Sequence, residues 1–154
     1  MTATVAMGKG PRPFVVLLAE DEPADAHLVK LALNGGEDAL ATDVHHLVDG
    51  REALEYLRRQ GERFATAVRP DLILLDLNMP RMDGREFLLA IKQDPALRDI
   101  PVVVLSTSEV DRDRRETDRL GAAGYIAKPL DVAQFITEIR RLIGYWMALA
   151  RRSG

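Results

Sequence analysis

Residues 71–84 read DLILLDLNMPRMDG, from Asp71 to Gly84. An apolar run carries the carboxylate Asp76 to its end and then breaks at once into Asn78, Pro80 and Gly84. One other segment behaves comparably: FVVLLAED, from Phe14 to Asp21, which ends on Glu20 and Asp21. If both runs are strands of one parallel sheet, three carboxylates converge at its carboxyl edge. Like charges 4 Å apart repel by about 1 kcal/mol per pair even in water, so such a cluster requires a cation.

Outward from these two runs, apolar segments alternate with helical patterns, which marks repeated βα units and a mostly parallel sheet. The strands are expected at Phe14 to Ala19, Asp43 to Val48, Leu72 to Leu75, Val102 to Leu105 and Gly124 to Ala127. Most are apolar throughout, as strands covered on both faces should be. Pro23 opens the first helix, where its missing N–H costs nothing, and the spacing predicts that Ala24, Leu28 and Leu31 are buried. The second follows Asp49, with Glu52 three residues on as an Asp-for-Ser capping box, and packs Leu54 and Leu57. The third carries Phe87, Leu88 and Ile91. The fourth, near Asp111 to Leu120, is nearly all charge and rests on the alternation alone. The fifth, opened by Asp131, runs Val132, Phe135, Ile136, Ile139, Leu142, Ile143 and Trp146 in one stripe.

The 154 residues fit one α/β domain, 14–148, with a loose arm at 1–13 and a tail at 149–154. With 47% hydrophobic and 29% charged residues the chain reads as soluble and globular, and the absence of cysteine excludes disulfides and thiolate metal sites. A net charge of −3 offers no excess of positive charge for a phosphate backbone, so nucleic acid is not an expected partner. No apolar run approaches the ~20 residues of a membrane span and no signal-peptide core is present, so a cytoplasmic location is expected.

Ligands in open α/β sheets bind beyond the carboxyl ends of the strands. Those ends supply Glu20 and Asp21, then Asp76, then Ser106 and Thr107, then Lys128 before Pro129. Mg²⁺ takes one or two carboxylates together with waters and phosphate oxygens, and this set suits it. A carboxylate beside such an ion can attack phosphorus, which makes Asp76 the candidate nucleophile, while Lys128 and Ser106 would meet the phosphoryl oxygens.

At this point the residues resemble a family: the receiver domains of bacterial two-component response regulators. The likeness spans about Phe14 to Trp146. It implies a flavodoxin-like (βα)5 doubly wound fold, strand order 2-1-3-4-5, with helices on both faces. It also implies metal ligation by Glu20, Asp21, Asp76 and the backbone carbonyl of Asn78, phosphorylation of Asp76, a switch hydroxyl at Ser106, a switch aromatic at Tyr125, a phosphate-binding Lys128, and a cis bond before Pro129. The segments DEPADAHLVKLAL, RPDLILLDLNMPRMDGREFL and IPVVVLSTSEVD, with Tyr145 and Trp146, are most similar to single-domain regulators paired with phytochrome-type kinases. The implied partner is therefore a sensor histidine kinase, a bacteriophytochrome in that subgroup. The implied role is signalling, with self-phosphorylation and autodephosphorylation the only chemistry. Glu20 stands where many relatives have Asp, and Ser106 where many have Thr.

Plainer explanations exist for each residue alone. Asp76 could merely cap a helix, and Glu20, Asp21 and Glu22 could answer a helix dipole; Glu22 is given that role only. Ser106 could be a solvated loop hydroxyl and Tyr125 a plain core aromatic. His45 and His46 point to opposite faces of a strand and are expected to be structural. The apolar stripe continuing through Tyr145, Trp146, Met147, Leu149 and Ala150 suggests a homodimer on the C-terminal helix. Two other functions share the residues: an Mg²⁺-dependent aspartyl-phosphate phosphohydrolase, which needs an acid where Asn78 stands, and a structural receiver-like module without phosphorylation.

Overall fold

Five parallel strands form the sheet: β1 Phe14–Ala19, β2 Thr42–Leu47, β3 Leu72–Asp76, β4 Val102–Ser106 and β5 Gly124–Ala127. The computed structural model describes residues 12–34, 41–106, 111–128 and 131–153. Spatial order is β2-β1-β3-β4-β5, as the family resemblance implies. The strand order turns back between β1 and β3, the place where such sheets open a crevice. Register sets Leu18 beside Leu74, Asp76 beside Leu105 and Ser106 beside Ala127.

Burial follows position in the sheet. Central β1, β3 and β4 are buried at every residue, whereas edge strands β2 and β5 are mostly half-buried. Side chains alternate across the sheet and divide the core in two. Leu17, Ile73 and Leu75 pack with Leu54, Phe87, Leu88 and Ile91 from α2 (Gly50–Leu57) and α3 (Gly84–Gln93). Leu18, Leu72 and Leu74 pack on the other side against α1 (Pro23–Asn34) and α5 (Val132–Ser153). The highly charged α4 spans Asp111–Arg119, with Thr117 buried.

Helix starts are written in side chains. Asp49 Oδ1 accepts from the Glu52 N–H at 2.8 Å, as expected, but the Glu52 carboxylate reaches back to the Val48 N–H at 3.2 Å. A complete capping box opens α3, where Asp83 and Glu86 each accept from the other's backbone N–H.

One expected face is wrong. In α1 the buried residues are Ala26, Val29, Ala32 and Leu33, while Ala24 is exposed, Leu28 half-buried and Leu31 46% exposed. The two stripes differ by roughly 140° around the helix axis at 3.6 residues per turn. The cause is tertiary: α1 shares its side of the sheet with Phe135, Ile139 and Ile143 of α5, and small Ala26 and Ala32 face inward there. Val132 is likewise 52% exposed, so the buried stripe of α5 starts at Phe135.

At the ends, Arg12 within the expected arm pairs with Asp71 at 2.7 Å, and α5 continues helically to Ser153 through the expected tail. Thr107 and the bond before Pro129 lie outside the described residues. No helix among the described residues is long and apolar enough to cross a membrane. The observed α1 face predicts that Leu33→Ala costs about 2–5 kcal/mol in urea unfolding, whereas Leu31→Ala costs below about 1 kcal/mol. Equal losses would contradict this packing.

Candidate functional site

The carboxyl edge of the sheet gathers the titratable groups. The Glu20 N–H still donates to Leu47 O at 3.0 Å, so strand pairing continues one residue past β1 and turns the Glu20 side chain fully inward. Asp21, the next residue, lies in a bend and is exposed. Asp76 closes β3 at 6% exposure. One carboxylate oxygen from each of Glu20, Asp21 and Asp76 lies within 4.8 Å of the others. The three acids expected to converge do converge.

Lys128 follows β5, and its N–H donates to Ser106 O at 2.7 Å, extending the β4–β5 ladder. Its amine bonds to Glu20 Oε1 at 2.6 Å and Asp25 Oδ2 at 2.9 Å, and stands 3.9 Å from Asp76 Oδ1. Burial works against the charged amine, yet the hydrogen bond and charge of Glu20, the hydrogen bond to Asp25 and the charge of Asp76 hold its pKa above the ordinary lysine value. Asp76 moves the other way from a normal carboxyl. Burial first, then the hydrogen bond and charge of Glu20, raise it to about 8, with Lys128 and the Asn78 N–H only partly opposing. That Asn78 N–H donates to Asp76 Oδ1 at 3.3 Å, and the Asn78 side chain is exposed at the mouth of the site.

The loop behind Asp76 is held by backbone contact. The Gly84 N–H donates to Leu77 O at 2.9 Å, and a Cβ at Gly84 would fall 2.6 Å from Asp76 O. Only glycine permits that approach. Arg81, in the left-handed region at φ 63°, bonds fully buried Asp49, and Gly50 N–H donates to Met82 O at 3.2 Å. Burial tends to raise the Asp49 pKa, but the Glu52 N–H and Arg81 outweigh it and hold the group below the usual carboxylate range. Asp49 is thus an N-cap and also the tie between the β2–α2 and β3–α3 loops.

Ser106 is fully buried at the end of β4, one residue past the partner of Asp76. Tyr125 is not part of the acidic cluster. It is half-buried on β5 and lines a groove of ≈ 480 Å³ with Ile126, Leu142 and Tyr145. His45 and His46 are structural as expected, but with separate tasks: His45 meets Asp43 at 3.0 Å, while His46 Nε2 donates to Glu20 O at 2.7 Å. Sequence reasoning missed Asp25, Arg81 and this task of His46. An Asp in a helix first turn signals only the dipole, and Arg81 and His46 reach partners 32 and 26 positions away in sequence.

A donor set made wholly of oxygen, buried at one side and open at Asp21, fits a hard divalent cation such as Mg²⁺. Residues 16–140 match the model of the response regulator receiver domain. The chain is 39% identical to response regulator Rcp1 of Synechocystis sp. over 88% of its length and 90% of that protein's. It superposes on the phosphorylated cyanobacterial phytochrome response regulator RcpA with TM-score 0.82 and 42% identity, covering 89% of this chain and 96% of the other. For the Mn²⁺-bound form of Rcp1 the TM-score is 0.79 at 38% identity, covering 87% and 94%.

Without metal, Asp76 titrates at about 8 when folded, against about 4 when unfolded. The folded chain then holds the proton more tightly, so stability from this group is full below about pH 4 and is lost as pH rises through about 8. Tm of the metal-free chain is therefore expected to fall from about pH 5 to about pH 9, and Asp76→Asn to flatten that fall. Parallel profiles for the two proteins would contradict the raised pKa.

Proposed function

Because this chain belongs to the response regulator receiver family, we propose that Asp76 accepts the phosphoryl group of a kinase phosphohistidine. The carrying observation is the meeting of Asp76 with Glu20 and Asp21 within 4.8 Å, beside Lys128. A carboxylate oxygen of Asp76 would form the O–P bond as the P–N bond of the donor breaks, and the electron pair leaves with the imidazole, which takes up a proton. Glu20, Asp21, Asp76 and the Asn78 carbonyl would hold Mg²⁺, which when bound supplies positive charge to the phosphoryl oxygens.

The chain's own groups do the rest. Asp76 must lose its proton to act, and a cation among the carboxylates favours that loss. Lys128 lies 3.9 Å from Asp76 Oδ1, near enough to turn its amine onto a phosphoryl oxygen. Ser106, at the end of the next strand, would close on the same group. Its shift would draw in the loop after β4 and let Tyr125 move in the groove between β5 and α5, changing the surface made with Tyr145. Asn78 cannot protonate a leaving group, which favours one phosphorylation per chain over turnover.

The phytochrome subgroup supplies the proposed input. RcpA is described as a phytochrome response regulator, and a bacteriophytochrome kinase is the partner we assign by that likeness. The output is a second copy of the chain through α5. Trp146 and Met147 partly serve the chain's own core, while Tyr145 is 59% exposed and Leu142 half-buried beside it.

Acetyl phosphate with Mg²⁺ is expected to label the protein once per chain, with no label in Asp76→Asn or in excess EDTA. Repeated turnover would mean a hydrolase, and no label a structural module. Light scattering at micromolar concentration is expected to give a dimer mass that Tyr145→Asp reduces to monomer; a monomeric wild type would rule out the α5 dimer.

A further inference from the structure

We propose that Asp25 is a positioning residue for Lys128, holding the amine off Asp76 in the unphosphorylated chain and so setting how readily the phosphorylated arrangement forms. The proposal rests on Asp76 being the phosphoryl acceptor. Lys128 has three N–H donors. In this structure two acids claim it, Glu20 at 2.6 Å and Asp25 at 2.9 Å, while the acceptor Asp76 is left at 3.9 Å.

The two acids differ in what happens when a phosphoryl group arrives. Glu20 shares the carboxylate cluster with Asp76, their oxygens within 4.8 Å, so an amine that moves toward Asp76 stays near Glu20. Asp25 belongs to α1 and is not among the three clustered acids. A phosphoryl group brings about −1.5 to −2 charges, and an amine bonding to it sits at about 2.7–2.9 Å. Lys128 must then close the gap from 3.9 Å and lengthen or break the Asp25 pair. Asp25 therefore favours the unphosphorylated arrangement by competing for the Lys128 amine.

A helix dipole explains why an acid is tolerated in the first turn of α1, but it asks only for charge near that terminus. Among the described residues the Asp25 carboxylate has a single partner, Lys128, which lies 103 positions away in sequence. Its side chain is 29% exposed and that of Lys128 8%, so the pair is sheltered without being sealed. Such a pair is strong enough to bias an arrangement and weak enough to yield to a dianion.

The test uses beryllofluoride, a tetrahedral phosphoryl mimic, titrated calorimetrically in saturating Mg²⁺ against the full chain. Asp25→Asn and Asp25→Ala are expected to bind it about two- to fivefold more tightly than wild type, the span of a partly exposed ion pair. Asp25→Glu, which keeps the charge, should lie nearer wild type. In a Lys128→Ala background Asp25→Asn should change nothing. Unchanged or weaker affinity overturns the proposal, and so does an equal gain without Lys128, which would mean general charge repulsion. Thermal unfolding separates a helix-stability effect, which moves Tm without moving the affinity ratio. Failure of the wild type to be labelled by acetyl phosphate would instead overturn the role of Asp76. The contact is checked separately by NMR of the unphosphorylated chain, where Asp25→Asn must shift the Lys128 side-chain resonances; if they stay in place, Asp25 does not hold the amine.

Discussion

Glu20 and Asp76 bring carboxylate oxygens within 4.8 Å of each other at the end of two apolar strands, with Asp21 in the same cluster and the buried Lys128 amine to offset them. With all groups ionised the charges do not balance: among the described residues Glu20, Asp25 and Asp76 share the amine of Lys128, with Asp21 in the same cluster. Water cannot fully relieve the repulsion, because Glu20 is fully buried and Asp76 nearly so. The chain has two remedies, a retained proton or a divalent cation, and each changes what Asp76 can do. The first makes it an acid with its pKa raised to about 8; the second, in the proposed function, would free it as a nucleophile. The chemistry of the site and its cost to stability have the same origin.

Holding that cluster in place falls to parts of the chain that carry no charge in the reaction. Strand pairing runs one residue past β1 and one past β5, and these extra ladder bonds orient Glu20 and Lys128. His46 adds a clamp on the carbonyl of Glu20. Behind Asp76, Gly84 lies against the strand end where no side chain fits, and Arg81 and Met82 anchor the same loop to Asp49 and Gly50. The acceptor thus sits on a braced support, and Lys128, shared among three acids, is the group with a choice of partners.

Much of this was legible in the residues. The five strands, their parallel arrangement and the gathering of Glu20, Asp21, Asp76, Ser106 and Lys128 at one edge follow from mostly apolar runs that alternate with helical patterns and end in polar residues, while the strand order came from the family resemblance. The face of α1 was not legible: Ala24, Leu28 and Leu31 make a plausible stripe, and only the neighbouring α5 selects Ala26, Val29 and Leu33 instead. Met147 looked like spare apolar surface, yet it leans on the core beside Trp146 because α5 lies across it.

Period, run length and breaker residues dictate which segments are strands and which residues stand at their ends, because those signals act between near neighbours along the chain. Partnership is another matter. That Lys128 bonds Asp25, that His46 holds Glu20 and that Arg81 reaches Asp49 became settled only on folding, since each contact joins residues 26 or more positions apart whose geometry is set by sheet register and helix packing.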